Sequence, residues 1–124
     1  MKRFYTLLLA LIFTGLGFGQ VLTAGDIAFV QYNADGTDNF EFVCLVDIPA
    51  SQVIHFTDNE ENDLDGGEGT ITWTAPAGGL ACGTIVNITT TPTASVGTVS
   101  ERNGFNLSGG GDSVLAFTGT SGSP

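Results

Sequence analysis

Short runs of Val, Ile, Phe and Thr, separated by turn-forming residues, constrain the fold of this chain more than any other feature. None of them shows the apolar period of an amphipathic helix. The spacing predicts an all-β fold in which two antiparallel sheets pack face to face. The predicted strands lie within seven runs, at 25–32, 40–48, 53–57, 70–75, 84–90, 104–108 and 109–119.

Alternation within two of these runs predicts where their side chains lie. In TITWTA at 70–75, Ile71 and Trp73 share one face while three threonines share the other, which places Trp73 in the core. In FEFVCLVDI at 40–48, both faces carry apolar residues. A strand with two apolar faces is typical of the middle of a sheet, so this run is predicted to be a central strand.

The first nineteen residues match a secretory signal peptide, with Lys2 and Arg3, then an apolar run, then small residues. We therefore expect export, with the protein secreted or held at the cell surface. Residues 20–124 are then predicted to form one β-sandwich module, either truncated or followed by further domains. The apolar run is shorter than the ~20 residues that a membrane span requires, and no later run approaches that length.

The charge balance excludes some partners and favours others. The chain has thirteen acidic residues, and Arg102 is the only Lys or Arg after residue 3. Such a surface disfavours nucleic acids and anionic membranes, and it attracts cations.

One acidic loop, DNEENDLDGGEG at 58–69, holds six of the thirteen acids and is the main candidate for a metal site. With Glu61 as the first position of a calcium-binding loop, acids also stand at the third and fifth positions and glycine at the sixth. The twelfth position is Thr72 instead of glutamate, so the match is partial. Calcium binding and a merely solvated loop both stay open. The candidate ligands are Asp58, Glu61, Asp63, Asp65 and Glu68.

A second acidic stretch, NADGTD at 33–38, is a weaker calcium candidate. An Asp-Gly pair supplies the backbone conformation of a tight hairpin without any metal. We therefore expect mainly a turn here. The neighbouring Tyr32 is the one aromatic residue suited to contact a glycan.

Catalytic chemistry finds little support. The single histidine, His55, stands inside the run VIHFT, and the chain has no GxSxG elbow. A hydrogen-bonded strand histidine is the preferred interpretation, so no catalytic residue is assigned and we expect no enzymatic activity. The two cysteines, Cys44 and Cys82, either form a disulfide worth about 3–4 kcal/mol or stay as free thiols.

Three stretches resemble the lamin-tail-like domain family: IAFVQYNADGTDNFEFVCLVD, WTAPAGGLACGTIVNIT and FNLSGGGDSVLAFTG. Together they span about residues 25 to 119. The resemblance implies an immunoglobulin-like antiparallel β-sandwich of about seven strands. It also implies an accessory module of bacterial secreted or surface multidomain proteins, with no catalytic set to carry over. Cys44 departs from the pattern, which has an acidic residue there, and the loop at 58–69 is more acidic than the pattern requires.

These observations predict a secreted, non-catalytic module for binding, adhesion or structural support, stabilised by calcium if the acidic loop binds it. The expected partner is an extracellular protein or a glycan, and covalently linked neighbouring domains are expected as well. The alternative is a carbohydrate-binding module of a secreted hydrolase or nuclease.

Overall fold

The computed structural model describes residues 21–59 and 68–119, and every regular element within them is a β-strand. The strands form two antiparallel sheets of four, ordered β1-β2-β5-β6 and β7-β4-β3-β8. The prediction of an all-β sandwich is confirmed. The predicted signal peptide lies outside the described residues. The strands are β1 (Ile27–Asn33), β2 (Asn39–Cys44), β3 (Val53–Thr57), β4 (Thr70–Thr74), β5 (Ile85–Thr89), β6 (Thr93–Ala94), β7 (Thr98–Arg102) and β8 (Leu115–Phe117).

Aromatic side chains from both sheets meet in the core. Phe40 and Phe42 of β2 have ring centroids 4.9 and 5.3 Å from that of Phe56 on β3. Trp73 of β4 packs edge-on against Phe42, with centroids 5.3 Å apart. All four side chains have no exposed surface. The core position predicted for Trp73 and the central position predicted for the run at 40–48 are both confirmed.

The two sheets are joined firmly along the side formed by β6 and β7. The chain passes from one sheet to the other between these strands, and Trp73 Nε1 donates a 2.8 Å hydrogen bond to the carbonyl oxygen of Val96 in this turn. Gly97 has φ +82°, and a Cβ there would lie 2.5 Å from the Thr74 carbonyl oxygen. Only glycine fits this close approach, so the turn closes tightly over the edge of the core.

One predicted strand is absent, and two predicted runs contain shorter strands than expected. Residues 104–108 are not a strand, although Phe105 and Leu107 are each only 3% exposed; the neighbouring strand is β7, at 98–102. In the run at 40–48 the strand ends at Cys44, and beyond it only an isolated bridge joins Ile48 to Leu80. The last run contributes a three-residue strand, β8. With the two-residue β6 as well, the described residues contain eight strands instead of about seven.

No helix within the described residues is long and apolar enough to cross a membrane.

Candidate functional site

The neck of the acidic loop is built from hydrogen bonds between the ends of β3 and β4. Thr57 Oγ1 donates to the Gly69 carbonyl oxygen at 2.8 Å and accepts from Asn59 Nδ2 at 2.7 Å. The Glu68 backbone N–H donates to Asn59 Oδ1 at 3.0 Å. These bonds fix where the loop leaves and re-enters the sheet. The candidate ligands Glu61, Asp63 and Asp65 lie outside the described residues.

Asp58, at the start of this loop, is a buried carboxylate. It is 7% exposed, and its Oδ2 accepts a 2.9 Å hydrogen bond from the Asn106 backbone N–H. Its Oδ1 has no hydrogen-bond partner among the described residues. Burial raises the pKa of Asp58 above its ordinary value, the negative charge of Asp112 adds to that rise, and backbone N–H groups, including that of Asn106, oppose it.

The two candidate ligands within the described residues, Asp58 and Glu68, lie in different environments. Asp58 is turned into the protein to hold the segment at residue 106, whereas Glu68 is exposed. Within 21–59 and 68–119, no three His, Cys, Asp or Glu side chains are grouped so that they could hold a metal ion. Calcium binding by this loop therefore stays a prediction that depends mainly on Glu61, Asp63 and Asp65.

The second acidic stretch, at 33–38, forms the hairpin turn between β1 and β2. Asn33 Nδ2 donates to the carbonyl oxygens of Asp35 and Thr37, each at 3.2 Å, and its Oδ1 accepts from the Asp35 N–H at 3.3 Å. Gly36 has φ +88°, which explains the glycine. The side-chain amide of Asn33 therefore holds the turn, as expected for a tight hairpin.

Tyr32, beside this turn, is 45% exposed, as expected for an aromatic residue available to a ligand. Partial burial raises the pKa of its hydroxyl, and the negative charges of Asp112 and Asp38 raise it further. Two acidic groups therefore lie within electrostatic reach of this ring.

His55 is 5% exposed and both ring nitrogens are hydrogen-bonded. Nε2 lies 3.1 Å from the Gly119 carbonyl oxygen, and Nδ1 lies 2.9 Å from Thr72 Oγ1. Because a carbonyl only accepts, Nε2 carries a proton and donates to Gly119, while the Thr72 hydroxyl, which can donate or accept, satisfies Nδ1. The ring also packs against Phe117, with centroids 5.1 Å apart. The prediction of a hydrogen-bonded strand histidine is confirmed.

The two cysteines lie in adjacent segments and are free thiols in this structure. The Cys44 N–H donates to the Thr84 carbonyl oxygen at 2.9 Å, which brings the chain next to Cys82 alongside β2. Cys44 is buried, and its pKa is raised first by burial and then by the nearby Cys82. Cys82 is exposed, and its Sγ lies 3.1 Å from the Leu45 carbonyl oxygen. The segments that carry Cys44 and Cys82 are adjacent, as a disulfide between them would require. The disulfide itself stays a prediction.

An apolar cleft of about 440 Å³ opens between β1 and β8. Its walls are residues 22–27 and 114–118, and Phe29 and Ile54 reach into it from the core. The sequence signals did not point to this cleft. It arises because β1 and β8 end their sheets on the same side of the sandwich, a relation set by tertiary topology.

Comparison of the chain with protein-family models, with curated proteins and with solved structures gives no match.

Proposed function

We propose that the chain is a non-catalytic binding module of an exported bacterial protein. The observation that supports this proposal best is the combination of a structural histidine with an open apolar cleft. Both ring nitrogens of His55 are hydrogen-bonded, one to Thr72 on β4 and the other to Gly119 after β8, which gives the ring a structural role. The cleft is concave and lined mainly by apolar groups, as ligand-binding sites commonly are.

The resemblance to lamin-tail-like domains supports the same role, because those domains are accessory modules. The signal-like residues 1–19 support secretion or display at the cell surface. In this proposal the partner is an extracellular protein, and any catalytic activity belongs to a covalently linked neighbouring domain.

A binding assay combined with an activity assay tests this function. The purified chain is passed over arrays of extracellular proteins and of polysaccharides, and the same ligands are then assayed for turnover. We expect saturable binding without turnover. Turnover that is lost in a His55→Gln variant, but kept in a Thr98→Ala variant at an exposed position of the same sheet, would show an enzyme instead.

We also propose that calcium stabilises the acidic loop, through the side chains of Glu61, Asp63 and Asp65 with Asp58 and Glu68 at its ends. The well-defined neck at Thr57, Asn59 and Glu68 supports this, because it brings the ends of a strongly acidic loop together. Extracellular calcium sites commonly have Kd values on the order of 10⁻⁴–10⁻³ M. Binding of that strength stabilises the folded chain by about 1.4–2.7 kcal/mol at ~10 mM calcium.

A thermal unfolding experiment in EDTA and in calcium measures this effect. The expected rise in Tm is lost when Glu61, Asp63 and Asp65 are replaced by their amides, and it is kept in Asp35→Asn, which removes an acid from the other turn. An equal response to sodium at matched ionic strength would show that calcium only screens charge.

A glycan is the alternative ligand, favoured by one observation: Tyr32 is 45% exposed, and the negative charges of Asp38 and Asp112 act on its hydroxyl. Aromatic rings beside carboxylates suit sugar rings and their hydroxyl groups. A polysaccharide that binds the wild type and Leu45→Ala, but not Tyr32→Ala, would establish this alternative. Leu45 is a matched control because it is also exposed, at 48%.

A further inference from the structure

β1 is an edge strand that leaves apolar surface exposed. It is the first strand of its sheet, and among the described residues it pairs only with β2. Its residues 29–32 are all exposed, and Phe29, Val30 and Tyr32 are exposed by 42%, 50% and 45%. An edge of this kind offers unpaired backbone N–H and C=O groups to another strand. A register shift between Phe29 and Gln31 is the one irregularity in its pairing with β2.

The core is open next to this edge. Phe29 stands opposite Phe42 and therefore faces the other sheet, with its ring 5.8 Å from Phe40 and 6.0 Å from Phe56. Phe40, Phe42 and Phe56 have no exposed surface, yet Phe29 is 42% exposed. On β8, Ala116 stands opposite Phe56, faces the same space, and is exposed. The cleft is thus a gap in the core between two sheet edges that pair with no further strand within 21–59 and 68–119.

On the opposite side of the sandwich, the edge of the core is covered by a turn. There the turn at 95–97 joins β6 to β7, and Trp73 is sealed beneath Val96 and Gly97. Between β1 and β8, Leu22 and Ile54 are buried at the cleft, but the described residues leave the Phe29 side chain 42% exposed. The unsealed side therefore has apolar surface that an added segment would bury.

Acidic groups lie at both ends of this open side. Asp26 lines the cleft, and its Oδ2 accepts from the Thr23 N–H and hydroxyl at 2.7 and 3.1 Å. At the far end of β1, Asp38 and Asp112 act on the Tyr32 hydroxyl. Arg102, the one Lys or Arg within 21–59 and 68–119, lies on β7 at the other edge of the second sheet. A ligand with positive charge at its ends would complement this pattern.

We propose that the open side between β1 and β8 binds an extended, basic segment of a partner protein, which pairs with β1 as an added strand. One apolar side chain of that segment enters the cleft against Phe29 and Ile54. Lysine or arginine on the same segment lies near Asp26 at one end and near Asp38 and Asp112 at the other. Strand addition of this kind gains affinity from backbone hydrogen bonds and specificity from alternate side chains. This inference rests on the proposed binding function and names the class of partner.

Two other occupants fit the observations less well. An acyl chain would fill the apolar cleft but would leave the free backbone groups of β1 unused. A second copy of the chain would bring two strongly acidic surfaces together, since each copy has a formal net charge of −10.

The test uses synthetic peptides of about ten residues, with Val, Ile, Leu or Phe at alternate positions and lysine between them. Binding to the purified chain is followed by titration calorimetry. We expect peptides of this set to bind, and we expect replacing lysine by glutamate to weaken binding by about tenfold or more. Methylating alternate backbone nitrogens supplies the decisive control, because an added strand uses only one of its two edges. One methylation pattern should abolish binding and the other should leave it intact.

Variants of the protein locate the site. Ala116→Trp fills the cleft and should weaken binding by about tenfold or more, whereas Ala77→Trp, at an exposed turn position away from it, should not. The proposal is overturned if no peptide of the set binds, if both methylation patterns bind equally, or if Ala116→Trp binds normally. Laurate binding without peptide binding, or dimerisation blocked by Ala116→Trp, would also overturn it. An extracellular ligand whose binding survives Ala116→Trp would refute this site while leaving the proposed binding function intact.

Discussion

Truncating Phe29 should cost much less stability than truncating the neighbouring Phe40, although both rings face the core. Complete burial of a phenylalanine makes Phe→Ala cost about 3–5 kcal/mol. Phe40 is fully buried and contacts Phe29, Phe56 and Phe105, so Phe40→Ala should cost the full amount. Phe29 is 42% exposed and lies on an edge strand that relaxes easily, so Phe29→Ala should cost about 2 kcal/mol.

Urea unfolding of the wild type and the two variants measures this difference. The midpoint should fall in both variants and fall further in Phe40→Ala, with the slope unchanged if unfolding stays two-state. Peptide binding should be weakened in Phe29→Ala, because this ring lines the cleft. Equal losses of stability would contradict the reasoning, since they would mean that the side between β1 and β8 is as well sealed as the centre of the core.

Three further predictions concern glycine, charge and thiol positions. Gly97→Ala should lower stability by about 2–4 kcal/mol in a urea titration, because its Cβ would clash with backbone at φ +82°, whereas Gly78→Ala, with open space, should change it little. In EDTA, the pKa of Asp58 is higher in the folded than in the unfolded state, so the folded state binds the Asp58 proton more tightly. The free energy of unfolding should therefore fall as pH rises from about 4 through the folded pKa. Asp58→Asn should remove that fall, and identical pH profiles of stability for the two proteins would refute the prediction. Under reducing conditions, iodoacetamide should label the exposed Cys82 quickly and the buried Cys44 only after unfolding, as mass spectrometry would show; rapid labelling of both would contradict the burial of Cys44.

Alternating patterns predicted the parts of the fold that depend on local sequence. The two faces of TITWT placed Trp73 in the core, and the doubly apolar run after residue 40 placed β2 inside its sheet. His55 was predicted to be a strand residue because it stands inside the run VIHFT, and it lies in β3. For Trp73 and β2 the side-chain period of the strand is the physical signal, and it is present in a single sequence.

Other parts depend on distant contacts that no local pattern carries. Phe105 and Leu107 looked like a strand, but Phe105 is held through its N–H by Glu101 Oε1 at 2.8 Å while its backbone packs against Gly69. These residues are buried without joining a sheet. The polar TVSER segment, β7, pairs with β4 because the tight turn at Gly97 directs it there.

In the candidate sites too, some features could be predicted from local sequence and others depend on distant contacts. Acidic composition identified the loop after β3, but it did not predict that Asp58 would turn inward to accept the Asn106 N–H. The cleft at Phe29 had no signal in the sequence, because an inward-facing residue of an edge strand has the same pattern as one in a closed core. Its exposure follows from which strands end the two sheets on that side.

Backbone hydrogen exchange along β1 tests the central claim, that the unsealed edge of this sandwich receives a strand. In the free chain, the β1 amides that do not pair with β2 should exchange quickly, while those paired with β2 are protected. With the lysine-containing peptide bound, the fast-exchanging amides of β1 should become protected and those of β6 should not change. Peptide binding with unchanged exchange along β1, or with new protection on β6 or β7, would contradict the account.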